Sequence, residues 1–156
     1  MTLEPLLRDH PFLKDLDPEY LALLAGCAMN VRFAGGSFMF REGEAASQCF
    51  LIREGKIALE IAAAGRGSII VQTVGAGDVV GFSWLLEPHE WQFDGRVVEP
   101  VRAFALDGTC LRGKCAEDPR LGFELTQLFA RLAIQRLQAT RLQLLDVYGS
   151  PSASAV

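Results

Sequence analysis

Histidine is nearly absent from this 156-residue chain: His10 and His89 are its two imidazoles, and they fall in different stretches. A three-histidine metal centre, the common way for a small β-barrel to become a metalloenzyme, is excluded by count. Long apolar runs are missing as well. Although 50% of the residues are hydrophobic, no uninterrupted stretch approaches the roughly 20 residues that span a bilayer, so no membrane-spanning helix is expected. The opening MTLEPLLRDHPFLKDLDPEY mixes acids with bases and lacks the basic and then apolar regions of a secretory signal, which makes a cytoplasmic location the expectation. Positive charge is also short, with 15 Lys and Arg against 19 Asp and Glu, a net charge of -4. A basic face for direct nucleic-acid binding is therefore not expected. Cys27, Cys49, Cys110 and Cys115 form no CxxC pair, so buried reduced thiols are expected rather than zinc or iron–sulfur ligands.

What the chain does contain is a change of periodicity. In KDLDPEYLALLAGC, Asp17 is placed to cap a helix, Pro18 to begin it and Gly26 to end it. From Met29 onward, short apolar stretches are punctuated at intervals of about 10 residues by Gly35-Gly36, Glu42-Gly43, Glu54-Gly55, Gly65 to Gly67 and Gly75 to Gly77. Ile57, Leu59 and Ile61 alternate with Ala58 and Glu60, the period of a strand with one face inside. About eight antiparallel strands, a jelly-roll number, are expected over 29–107, with hairpins at the glycines. After Asp107 helical patterning returns over 108–148, with Asp118 and Pro119 placed to start a long last helix. Ala130, Ile134, Leu137, Leu144 and Tyr148 recur along it at heptad-like spacing, interrupted by Arg141. Such a stripe packs either on its own barrel or on a second copy, and the length beyond the barrel favours a homodimer. The fold class is thus mainly β with flanking helices, one domain over 1–148, and a disordered tail at 149–156.

The stretch FAGGSFMFREGEAASQCFLIREGKIALEI resembles the cyclic-nucleotide-binding domain of the catabolite-activator and FNR-like (Crp/Fnr) superfamily. Phe33, Gly36, Phe40, Glu42, Gly43, Phe50, Gly55 and Leu59 fall in the family's order, and GAGDVVGFSWLL is similar to the entry of its phosphate-binding cassette. The resemblance implies a double-stranded β-helix (jelly-roll) barrel, a long C-terminal dimerisation helix, and a regulatory rather than enzymatic role. It also implies the stand-alone form, without the family's helix-turn-helix domain, and with it no direct contact to DNA.

Two charges that the resemblance leads one to look for are missing. The family's glutamate for the ribose hydroxyl follows the second cassette glycine, Gly81; here Phe82 stands there. The family's arginine for the cyclic phosphate falls at Trp91 or Gln92, and Arg96 is the nearest cation further along. Thr140 matches a threonine that meets the purine in some members. The candidate ligand-contacting set is therefore Gly81, Phe82, Ser83, Trp84, Trp91, Gln92, Phe93, Arg96 and Thr140. Gly81 is expected to lead into one helical turn, and Asp94 to pair with Arg96 on one strand face.

The aromatics Phe82, Trp84, Trp91 and Phe93 either fill the old pocket or line one for a less charged ligand. Cyclic AMP or cyclic GMP binding is expected to be weakened or altered, and no other cofactor and no catalytic or metal residue is expected. Two functions compete: a ligand-responsive sensor domain acting on a protein effector, or a ligand-independent dimerising scaffold.

Overall fold

The computed structural model describes the backbone of residues 3–154 and the side chains of residues 3–146. Two compact units divide it, Met1–Glu124 and Leu125–Val156. The first opens with α1 (Glu4–Arg8), a 3-10 turn (Pro11–Leu13) and α2 (Pro18–Ala25). Asp17 caps α2 by accepting the Glu19 N–H, with Pro18 in its first turn, as the sequence suggested. The preceding α1 and 3-10 turn are too short to carry a periodic signal. They are held down by His10, whose Nε2 lies 3.0 Å from the Ile52 carbonyl while its Nδ1 accepts the Phe12 N–H. That pair of bonds sets the neutral Nε2–H tautomer.

Six strands follow: β1 (Ala28–Phe33), β2 (Phe38–Phe40), β3 (Gln48–Ala63), β4 (Gly67–Gly75), β5 (Val79–Val80) and β6 (Asp94–Asp107). They join in the order β1-β6-β3-β4, with β2 paired to β6 and β5 to β3, every pairing antiparallel. This is the jelly-roll strand set as an open sheet, with six strands rather than about eight. The difference arises at Glu54-Gly55, read from sequence as a hairpin. Gly55 has φ 99° but lies inside one continuous β3, where the register to β6 shifts on both sides of it. A Cβ there would collide with the Pro100 carbonyl oxygen. Pro100, which has no N–H to donate, sits at the matching place in β6, so both strands bend together without turning back. Gly65 and Gly67, by contrast, do make the β3–β4 hairpin tip, with φ 76° and 70°.

The inner face is apolar: Phe50, Ile52, Ile57, Leu59, Val97 and Ala103 are buried in one cluster with Phe40 and Trp91. Asp107 caps α3 (Gly108–Glu117) through the Cys110 N–H, and Asp118 accepts from the Arg120 and Leu121 N–H groups at the start of α4 (Pro119–Ser154). α4 extends past the boundary expected at 148; the expected tail at 149–156 lies where side chains are outside the described residues.

Cys27 and Cys110 form a disulfide, with Cα atoms 5.7 Å apart. The expectation of reduced thiols fails for this pair and stands for Cys49 and Cys115, which are not disulfide-bonded. No local spacing announces the bond, because the residues are 83 positions apart. The β1–β6 register, which sets Ala28 opposite Leu106, brings the two together.

Candidate functional site

The cassette stretch begins at Gly81, buried and with φ 112°. A Cβ at this position would lie 3.0 Å from the Gln48 carbonyl oxygen and 3.0 Å from Trp91 Cη2, so the chain passes here only as glycine. The residues that follow, Phe82 to Leu85, make a hydrogen-bonded turn closed by the Leu85 N–H on the Phe82 carbonyl at 3.0 Å. The segment is this turn rather than the one-turn helix expected. Phe82 and Ser83 are half-buried, while Trp84 is fully buried.

Trp91 is brought inside by the loop opposite it. Its carbonyl accepts the Gly43 N–H and its N–H donates to the Glu44 carbonyl, both at 2.9 Å. The indole, 5% exposed, stacks on Phe40 with ring centroids 3.7 Å apart and planes 11° from parallel. Phe50 extends the stack, 6.2 Å from Trp91, and half-buried Phe93 leans on Phe40. Phe40 fits because Gly95 lies beneath it; a Cβ on Gly95 would run into the ring. The aromatic pair is thus seated between two glycines, Gly81 against Trp91 and Gly95 against Phe40. Gln92 points the other way, exposed, with its amide donating to the Glu90 carbonyl.

A cavity of about 330 Å³ adjoins this stack, lined by Met39, Phe40, Glu44, Ala45, Ser47, Gln48, Phe50 and Trp91. Its single ionisable wall residue is Glu44, a carboxylate that also accepts the Arg41 N–H at 2.9 Å. The wall charge therefore has the wrong sign for a phosphate.

The arginines around the segment are engaged elsewhere. Arg96 Nη2 and Nε lie 2.8 and 2.9 Å from Glu60 Oε2, and Glu60 is buried. The Glu60 carboxylate holds the Arg96 guanidinium pKa above its ordinary value. The expected Asp94–Arg96 pair does not exist: Asp94 instead takes Arg41 at 3.3 Å and the Glu42 N–H at 2.8 Å. The physical reason is cross-strand. Glu60 stands opposite Asp94 on β3, one diagonal step from Arg96, and the partner across the ladder prevails over the neighbour along the strand. Arg112 donates to the Trp84 carbonyl. Thr140 is exposed on α4 and donates to the Arg136 carbonyl of its own helix.

A second cavity, about 370 Å³, lies beside α1 and is lined by residues that include Leu6, Asp9, His10, Arg53, Gly77 and Phe104. Sequence reasoning missed His10 as a structural anchor, because a lone histidine before proline carries no pattern. No group of three or more metal-ligating side chains occurs among the described residues, and no described helix is long and apolar enough to cross a membrane.

No curated protein matches the chain by sequence. Solved structures do. A protein from Geobacter metallireducens GS-15, provisionally assigned to cyclic-nucleotide binding, aligns at 28% identity and TM-score 0.79, over 88% of this chain and 99% of that one. The catabolite activator protein of Thermus thermophilus aligns at 24% identity and TM-score 0.67, over 89% of this chain and 63% of that one. The regulatory subunit of a cAMP-independent protein kinase A from Trypanosoma cruzi, bound to guanosine, aligns at 24% and TM-score 0.61, over 81% of this chain and 49% of that one. The family model for the cyclic nucleotide-binding domain matches residues 30–118, from β1 through α3. With the strand order, the glycine at Gly81 and this match in agreement, the chain belongs to the cyclic nucleotide-binding domain family.

Proposed function

We propose that this chain is a non-enzymatic regulatory module of the cyclic-nucleotide-binding type whose pocket is closed by its own aromatic residues. The observation that carries this reading is the Phe40–Trp91 stack. Of the two positions where the family's arginine is expected, Trp91 is a core residue and Gln92 is exposed, and the adjoining cavity presents Glu44 rather than a cation. Removing one partner from a buried charged contact costs about 2–5 kcal/mol. A micromolar site then becomes one of roughly tens of micromolar to millimolar strength, at about 1.4 kcal/mol per tenfold. Phe82 in place of the ribose-binding carboxylate weakens it further.

Isothermal titration of the purified chain with cyclic AMP and cyclic GMP to low millimolar tests this. The expected result is no saturation below about 0.1 mM; micromolar binding of either nucleotide overturns the closed-pocket reading. Guanosine belongs in the same titration. The Trypanosoma cruzi neighbour is bound to that uncharged nucleoside, and a cavity walled by rings, a carboxylate, Ser47 and Gln48 suits an uncharged planar ligand better than an anion.

The output of the module, in this proposal, is a homodimer through α4, on which a protein effector acts. Ile134, Leu137 and Leu144 are 57%, 62% and 53% exposed on that helix, a repeated apolar stripe that a second copy of the same helix would cover. Ligand-independent scaffolding is the form this takes if no small molecule binds.

A further inference from the structure

The Cys27–Cys110 disulfide joins the residue just before β1 to α3. Cys27 lies between α2 and β1, and Cys110 lies in the first turn of α3. Beside the disulfide, the Asp107 N–H donates to the Cys27 carbonyl at 2.9 Å. The first two turns of α3 also touch the cassette and the chain before β3. Gly108 lies so close to Trp84 that a Cβ on it would be 2.8 Å from the Trp84 Cβ. Its N–H donates to the Ser47 carbonyl at 2.8 Å, and Arg112 donates to the Trp84 carbonyl.

The packing of α3 itself is thin. Of its ten residues, Gly108 and Leu111 are the buried ones, and Gly113 in its interior lowers its helix propensity by roughly 1 kcal/mol relative to alanine. A helix with so small a buried face depends on its tethers for a fixed position.

We propose that Cys27–Cys110 is a redox latch. Oxidised, it holds the first turn of α3 and, through Gly108 and Arg112, the Trp84 turn of the cassette. Reduced, it lets both loosen while the sheet stays intact. The inference is independent of whether the pocket takes a ligand. The reductant is a dithiol. Cys110 is half-buried and Cys27 buried, so a dithiol thiolate attacks the Cys110 sulfur and Cys27 leaves as a thiolate, which takes up a proton. The second thiol of the reagent then displaces Cys110 as a thiol. Two electrons pass to the protein, and the reagent ends as its own disulfide.

Hydrogen exchange of the purified chain, air-oxidised and dithiothreitol-reduced, tests the latch, with alkylation under denaturing conditions to count thiols. Oxidised protein is expected to alkylate at Cys49 and Cys115 alone, and reduced protein at all four cysteines. Reduction is expected to speed exchange by at least about tenfold at 82–85 and 108–113, with the β3 and β6 amides unchanged. Cys110→Ser is expected to exchange like the reduced protein and to ignore dithiothreitol. Four alkylated cysteines after oxidation, identical exchange in the two states, or equal loosening of the whole sheet would each overturn the latch.

Discussion

Phe40 and Trp91 lie face to face at 3.7 Å between ring centroids, one over Gly95 and the other against Gly81. The β2 strand, the cassette and β6 therefore share one packing unit. Trp91→Ala is expected to destabilise the chain by about 3–5 kcal/mol, because the surrounding residues cannot collapse onto the space the indole leaves. Urea denaturation measures the loss. Added indole is expected to raise the melting temperature of the variant and leave the parent unchanged, since only the variant offers it an apolar cavity. An equal response in both proteins would argue against a filled pocket.

Arg96 and Glu60 are expected to behave as a coupled pair. Arg96→Ala strands a buried carboxylate and lowers the urea midpoint at pH 7, whereas Glu60→Leu with Arg96→Ala recovers part of that loss. The measurement is a double-mutant cycle. Additive effects would mean that the ion pair contributes nothing to the sheet.

Acidification is expected to weaken the docking of α1. Burial is the main cause that pushes the His10 imidazole below its ordinary value of 6.5; the Arg53 cation adds to this, while the Ile52 carbonyl and Asp78 oppose it. The unfolded chain then takes up the proton first as pH falls, so the unfolded state gains. The His10 contribution is full above about 6.5 and is lost as pH falls through the lower folded-state value. Stability measured from pH 8 to 5 should decline on the acid side, and His10→Gln should flatten that decline. An unchanged slope would remove His10 from the linkage.

Ile134→Glu with Leu137→Glu is expected to convert an α4-mediated dimer to a monomer. Each buried leucine or isoleucine contributes about 2 kcal/mol at such a seam, so the pair should weaken association by at least about a hundredfold. Sedimentation velocity reads this directly; a parent chain that is monomeric even at about 1 mM overturns the dimer.

The readable parts of the sequence were those governed by short-range chemistry. Asp17-Pro18 and Asp118-Pro119 marked two helix starts, because a carboxylate at that position satisfies N–H groups a few residues away. Positive-φ glycine was readable as a conformational need and not as an outcome. The hairpin at Gly65 and Gly67 and the bulge at Gly55 ask for the same backbone angle, and only the Pro100 carbonyl against Gly55 separates them. Long-range pairings were not legible. Glu60 takes Arg96, Arg41 takes Asp94 and Cys27 takes Cys110 through register across β1, β2, β3 and β6, which no spacing along the chain encodes. Counting could narrow the missing arginine's position to Trp91 or Gln92, but the stack of Trp91 on Phe40 is a fact of the fold.

β3 runs unbroken from Gln48 to Ala63 and carries ladders to β4, β5 and β6, whereas its hairpin tip at Gly65 and Gly67 has open space where a Cβ would go. The tip is thus a place where the chain can be opened at little cost. A protease nick, an inserted peptide tag or a pair of new termini between residues 64 and 67 would leave every strand ladder in place, and the sheet would hold the two pieces together without the covalent link.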